Sequence, residues 1–230
     1  MMRRNRQGEL PFWRGQWGGR RPGAGRKRGA RPSIPHRSRD SFPKAHPCLV
    51  TLKVLEGVAS LRKVSVVREV EATFRRGAEY AGMRLVAYSV QQDHLHAIVE
   101  ADDPASLGRG MNSLAARFAR AVNRALGRRG RVLRERYHLR VLRSPAQVRN
   151  ALRYVLLNAR RHWAKQLGRR ALPAPGRIDP ASSGRWFDGW RSGSVGAREA
   201  AQATDPPAVR PPRTWMLRAG WRRLGLLDPA

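Results

Sequence analysis

Gln91-Gln92-Asp93-His94-Leu95-His96-Ala97-Ile98-Val99-Glu100 has the period-two alternation of a β-strand. Successive strand residues face opposite ways, so Leu95, Ala97 and Val99 can enter a core while His94, His96 and Ile98 share the other face. The two imidazoles then lie about 6.6 Å apart along the strand. Two neutral imidazoles at that spacing can reach one divalent ion. A His-x-His pair on a sheet face is also consistent with two residues that are merely solvated or hydrogen-bonded. Glu100 falls on the same face but about 13 Å beyond His96, and Asp93 alternates away from His94; neither is expected as a ligand.

A helix further along the chain bears on that choice. Ser144 suits an N-cap, Pro145 the first helical position, and Gln147 completes a capping box. At 3.6 residues per turn, Val148, Leu152, Val155, Leu156, Ala159 and Trp163 form one apolar stripe. Tyr154 and Asn158 are one turn apart and off that stripe, so they face the same way. A tyrosine needed only for packing belongs on the apolar side; a plain surface tyrosine is the other reading.

With these residues in view, the chain resembles the HUH superfamily of single-tyrosine transposases, in particular the REP-associated tyrosine transposases. His94-Leu95-His96 matches the His-hydrophobic-His motif, and Tyr154-Val155-Leu156-Leu157-Asn158 matches the helix bearing the nucleophile and a further metal ligand. The resemblance covers roughly residues 46–165, including Gly108 to Leu114 and Arg134 to His138. Many relatives carry Asn-Pro in the tyrosine helix, whereas Asn158 is followed here by Ala159, which implies a less interrupted helix. The resemblance implies Tyr154 as nucleophile, with His94, His96 and Asn158 holding Mg²⁺ or Mn²⁺.

Composition points to a nucleic-acid partner. Lys and Arg number 47 against 16 acidic residues, a formal charge of +31 on 230 residues. No apolar run has the length of a transmembrane helix, so no membrane partner is expected. The N-terminus lacks the pattern of a signal peptide, and a cytoplasmic, nucleoid-associated location is expected. Cys48 is the only cysteine, which excludes an intrachain disulfide and a cysteine-based zinc site.

Three regions are expected. Residues 1–45 form a basic Arg/Gly/Pro arm that cannot bury a core, and its Arg26, Lys27 and Arg28 suit non-specific DNA contact. Residues 46–165 form the catalytic domain. Its predicted order is a strand near Val50 to Val54, a helix from Ser60 to about Ala81 stopped by Gly82, a strand Met83 to Val90, the histidine strand, a helix from Pro104, and a strand Tyr137 to Leu142. That order is α+β, a ferredoxin-like β-α-β-β-α-β core with an antiparallel sheet, plus an extra C-terminal helix carrying Tyr154. Its two helices cover one sheet face and leave the histidine face to the extra helix, which could swing Tyr154 and Asn158 over it or over a partner's. On the second helix, Arg109, Arg117, Arg120 and Arg124 lie opposite the apolar stripe and suit DNA backbone contact, although such a face can be simply solvated. Residues 166–230 read as a Pro- and Trp-rich basic tail, loop-like but partly docked through its tryptophans.

The resemblance implies metal-dependent cleavage and strand transfer of single-stranded or hairpin-forming DNA through a 5′-phosphotyrosine, with repetitive palindromic elements as one candidate substrate and a monomer or homodimer as the working form. The alternative is a non-catalytic DNA- or RNA-binding protein on the same fold. No general base is identifiable from the residues alone.

Overall fold

The computed structural model describes residues 41, 42, 44–167 and 177–229, with residues 158–167 described by their backbone alone. The basic arm, including Arg26, Lys27 and Arg28, lies outside the described residues. The elements run β1 (His46–Lys53), α1 (Val64–Gly77), β2 (Glu79–Tyr80), β3 (Met83–Val90), β4 (His94–Ala101), α2 (Pro104–Ala125), β5 (His138–Val141), α3 (Pro145–Leu167), α4 (Val195–Ala201) and α5 (Trp215–Arg218), with 3₁₀ turns at Ser183–Trp186 and Gly220–Leu224. The class is α+β. One antiparallel sheet of five strands has the order β2-β3-β4-β1-β5.

The fifth strand corrects the predicted first helix. That helix ends at Gly77 instead of near Ala81, and Glu79–Tyr80 turn back to pair with Met83 and Arg84. Ala81 and Gly82 form the two-residue connection at φ 52° and 79°. Positive φ at both positions gives a primed hairpin turn whose twist matches its strands. Gly82 is required twice over, since a Cβ there would lie 2.7 Å from Asp102 Oδ2. It closes a hairpin and does not stop a helix.

Alternation along β4 divides the protein into two cores. Leu95, Ala97 and Val99 pack with Val70 and Phe74 of α1 and with Met111, Leu114 and Phe118 of α2. Cys48 is buried in this layer, where loss of solvation pushes its thiol up to about 12 and keeps it protonated and inert. α2 begins as its sequence suggests, with Asp103 accepting from Ser106 N at 2.8 Å.

The opposite face is not open. Ile98 and Ala87 pack there against Val148, Leu152, Val155 and Leu156 of α3, and against Trp190, Leu217, Trp221 and Leu227 of the C-terminal segment. The face left free by α1 and α2 is covered because α3 and the tail each bring an apolar face that must leave water. Residues 177–229 are also more regular than the expected loop. Arg62 forms a bidentate pair with Asp179 at 3.0 and 2.7 Å. Ser183 Oγ accepts from Tyr88 N, Ala181 O accepts from Val90 N, and Leu85 O accepts from Arg210 N, so the tail satisfies the edge of β3 beyond β2. Glu100, buried at 4% exposure, accepts from the backbone N–H groups of Arg213 and Thr214, both at 2.7 Å, and from Thr214 Oγ1. Among the described residues no helix is long and apolar enough to cross a membrane.

Candidate active site

The register of the sheet builds one side of the site. Thr51 of β1 and Ser89 of β3 flank His96, and Lys53 lies opposite His94. His138 of β5 pairs with Thr51, extending the row. The rings of His94 and His96 meet edge to face with centroids 4.4 Å apart. This is closer than their backbone spacing because both side chains lean towards one point.

α3 supplies the other side. Ser144 caps its start, accepting from Gln147 N at 3.3 Å, while Gln147 Oε1 accepts from Arg143 N at 2.7 Å. The apolar stripe then docks on Ile98 and Ala87, which fixes the rotation of the helix. That rotation brings Tyr154 over His96, with Oη 2.9 Å from Nε2 and ring centroids 4.7 Å apart. His96 is 4% exposed and Tyr154 is 40% exposed, so the phenol forms the accessible wall of an otherwise buried contact. The backbone of Asn158 is the next turn of α3; its side chain lies outside the described residues.

Thr51, which the sequence reading did not single out, and Asp93, which it had facing away from His94, orient the imidazoles. Thr51 Oγ1 and His96 Nδ1 are hydrogen-bonded at 2.9 Å. Asp93 Oδ1 accepts from His94 Nδ1 at 2.6 Å. Burial raises the affinity of Asp93 for its proton, but the hydrogen bond from His94 and the charges of His94 and Lys53 outweigh it, holding the carboxyl below the usual range. Asp93 is adjacent in sequence to His94, so a turn that folds it back was a findable signal. Thr51 was not findable, because only strand register brings it beside His96.

With Nδ1 of each ring engaged, Nε2 is the nitrogen through which either could ligate, and at His96 it is the atom that Tyr154 Oη meets. Metal-binding histidines commonly have this arrangement, with the second nitrogen held by a carboxylate or another polar group. The donor set therefore fits an imidazole-accepting divalent ion, and Mn²⁺ better than Mg²⁺. Among the described residues no group of three His, Cys, Asp or Glu side chains is suited to a metal. Glu100 is committed to the tail.

Beside His94 a cleft of about 460 Å³ opens between the β1 and β3 ends, lined by Lys53, Arg62, Gln91, Asp93, His94 and Arg134 among others. The four arginines predicted on α2 do not join this site, because α2 packs on the other face of the sheet. Arg109 donates to Ser106 Oγ, Arg124 pairs with Glu69 at 2.6 Å, and Arg117 stacks 5.6 Å from the centre of the Tyr80 ring. Arg120 is exposed.

No family model and no curated protein matches the chain. Among solved structures it is similar to one described as "Structure of the REP associates tyrosine transposase bound to a REP hairpin", at 14% identity and a TM-score of 0.44, over 61% of this chain and 89% of that one. At that level of similarity the match carries no inference about chemistry.

Proposed function

We propose that this protein is a metal-dependent single-stranded DNA endonuclease and strand transferase, a transposase-type enzyme acting on hairpin-forming DNA. Tyr154 is the nucleophile in this reading, and His94, His96 and Asn158 hold Mg²⁺ or Mn²⁺. The observation that carries it is the 2.9 Å contact of Tyr154 Oη with His96 Nε2, beside a second imidazole. A binding module has no need to press a half-exposed phenol against an oriented histidine pair. The strand order, with β2 as an added edge, also fits a ferredoxin-like core β3-β4-β1-β5.

When bound, the divalent ion supplies a Lewis acid that polarises a phosphate oxygen. Asp93 and Thr51 hold both imidazoles by Nδ1, so ligand exchange at Nε2 costs little reorganisation. The lone pair of His96 Nε2 serves one partner at a time. While it accepts from the phenol, Tyr154 is held in place; released, the phenol is turned towards substrate. The tyrosine oxygen then bonds to phosphorus as the bond to the 3′ oxygen breaks, and the proton lost by the phenol is balanced by the one gained at the 3′-hydroxyl. Bond energy is kept in the phosphotyrosine, so a second DNA end can reverse the step and join strands. The high positive charge retains the polyanionic substrate through the cycle.

Incubation with Mn²⁺ and a hairpin oligonucleotide carrying single-stranded flanks, followed by a denaturing gel, tests this. The expected product is a protein–DNA adduct that chelator and Tyr154→Phe both abolish. An adduct that survives Tyr154→Phe overturns the assignment, and DNA binding with no adduct points to the non-catalytic alternative.

A further inference from the structure

On the α1–α2 side of the sheet, away from Tyr154, Arg76 of α1 and Arg117, Arg120 and Arg124 of α2 line a cleft of about 220 Å³ with the buried Thr73. Four guanidinium groups meet one carboxylate there, because Glu69 pairs with Arg124. Arg76 and Arg120 have no carboxylate partner among the described residues, and both are exposed. The negative end of α1 accounts for Arg76 and for Arg117 beside it, but not for Arg120. Gly77 makes room for the arrangement: a Cβ would stand 1.4 Å from Arg117 Nη1, so a side chain would expel that guanidinium. Tyr80 braces it from the other side.

We propose that this cleft grips the phosphodiester backbone of double-helical DNA, as a second nucleic-acid contact on the face opposite Tyr154. The planar fork of arginine matches phosphate oxygens bidentately. Residues three and four apart on α2 sit about 5–6 Å from one another, so successive guanidiniums can follow one strand. The cleft holds no apolar anchor of the kind that dominates protein interfaces. The inference rests on the reading of this chain as a DNA-binding protein and requires nothing of the tyrosine chemistry, which the adduct assay tests separately.

The test is the salt dependence of binding to a blunt duplex that offers no single strand. Each lost phosphate contact lowers the slope of log K against log salt by about 0.9. The double variant R76A/R120A is expected to lower it by about 1.8, and R76K/R120K to restore most of it. Removal of two exposed arginines elsewhere, R129A/R198A, is expected to change it by less than half as much. An unchanged slope in R76A/R120A overturns the proposal, as does an equal fall in the R129A/R198A control, which would mean diffuse charge. If polyglutamate of matched charge displaces the duplex from the wild-type protein and loses that ability in R76A/R120A, the cleft takes an acidic protein partner and the proposal is likewise overturned.

Discussion

The phenol of Tyr154 and the imidazole of His96 meet at 2.9 Å although 58 residues separate them in the chain. One lies on a helix and the other on a central strand, and the contact forms on the sheet face that the C-terminal helices complete. Tyr154→Phe removes one half-exposed hydrogen bond, so a stability loss of about 1 kcal/mol is expected. DNA adduct formation is expected to fall below detection. Thermal melting and a denaturing gel on the same sample separate the two effects; a grossly unstable variant would show a structural role instead.

Thr51→Val keeps the volume of the side chain and deletes the hydroxyl that holds His96 Nδ1. Second-sphere losses of this kind weaken metal binding by about 10–100-fold. Calorimetric titration with Mn²⁺ is expected to show at least the lower figure. Tyr154→Phe, which removes a competitor for Nε2, is expected to leave the affinity equal or tighter. Unaltered Mn²⁺ binding in Thr51→Val would argue that Thr51 does not position the ligand.

Glu100→Gln tests how the tail is held. The carboxylate accepts from two backbone amides and a hydroxyl at the start of α5. A carboxamide has only one acceptor oxygen, so a loss of about 1–3 kcal/mol is expected. Amide exchange in residues 213–221 should accelerate more than in β1. Uniform acceleration would mean that the tail and the sheet open together.

The cap of α2 carries a pH dependence. Backbone hydrogen bonding from Ser106, then its hydroxyl, holds the Asp103 carboxyl below the usual range. A folded-state value below the unfolded one, which is about 3.9, stabilises the fold above that pH. The contribution is lost as pH falls through the lower folded value. The gap in urea midpoint between wild type and Asp103→Ala is therefore expected at neutral pH and should narrow below about pH 4. An equal gap at pH 3 and pH 7 would show that the charge of Asp103 is not what stabilises the cap.

Local patterns were legible where one residue's neighbours in sequence are also its neighbours in space. The period-two run at 94–99, the Asp103-Pro104 start of α2 and the Ser144 cap of α3 are of that kind, and each stands in the structure. The first helix was read too long because Ala78 and Ala81 continue the helical spacing, while the positive φ at Ala81 and Gly82 is a property of the hairpin they close. The spacing of the α2 arginines placed them on one helix face, but the partners of Arg124 and Arg117, Glu69 and Tyr80, come from elsewhere in the chain and were not legible there.

By itself the sequence determined the class of structure, the excess of positive charge, and the pairing of His94 with His96 on one strand face, since these follow from composition and short-range periodicity. Only the tertiary structure decided that this face is covered, that Thr51 and Asp93 hold the two rings, that Tyr154 reaches His96, and that Glu100 anchors the tail. Those contacts depend on strand register and on how a helix rotates to bury its stripe. Both are settled by the summed packing of residues far apart in the chain, which no local window of sequence contains.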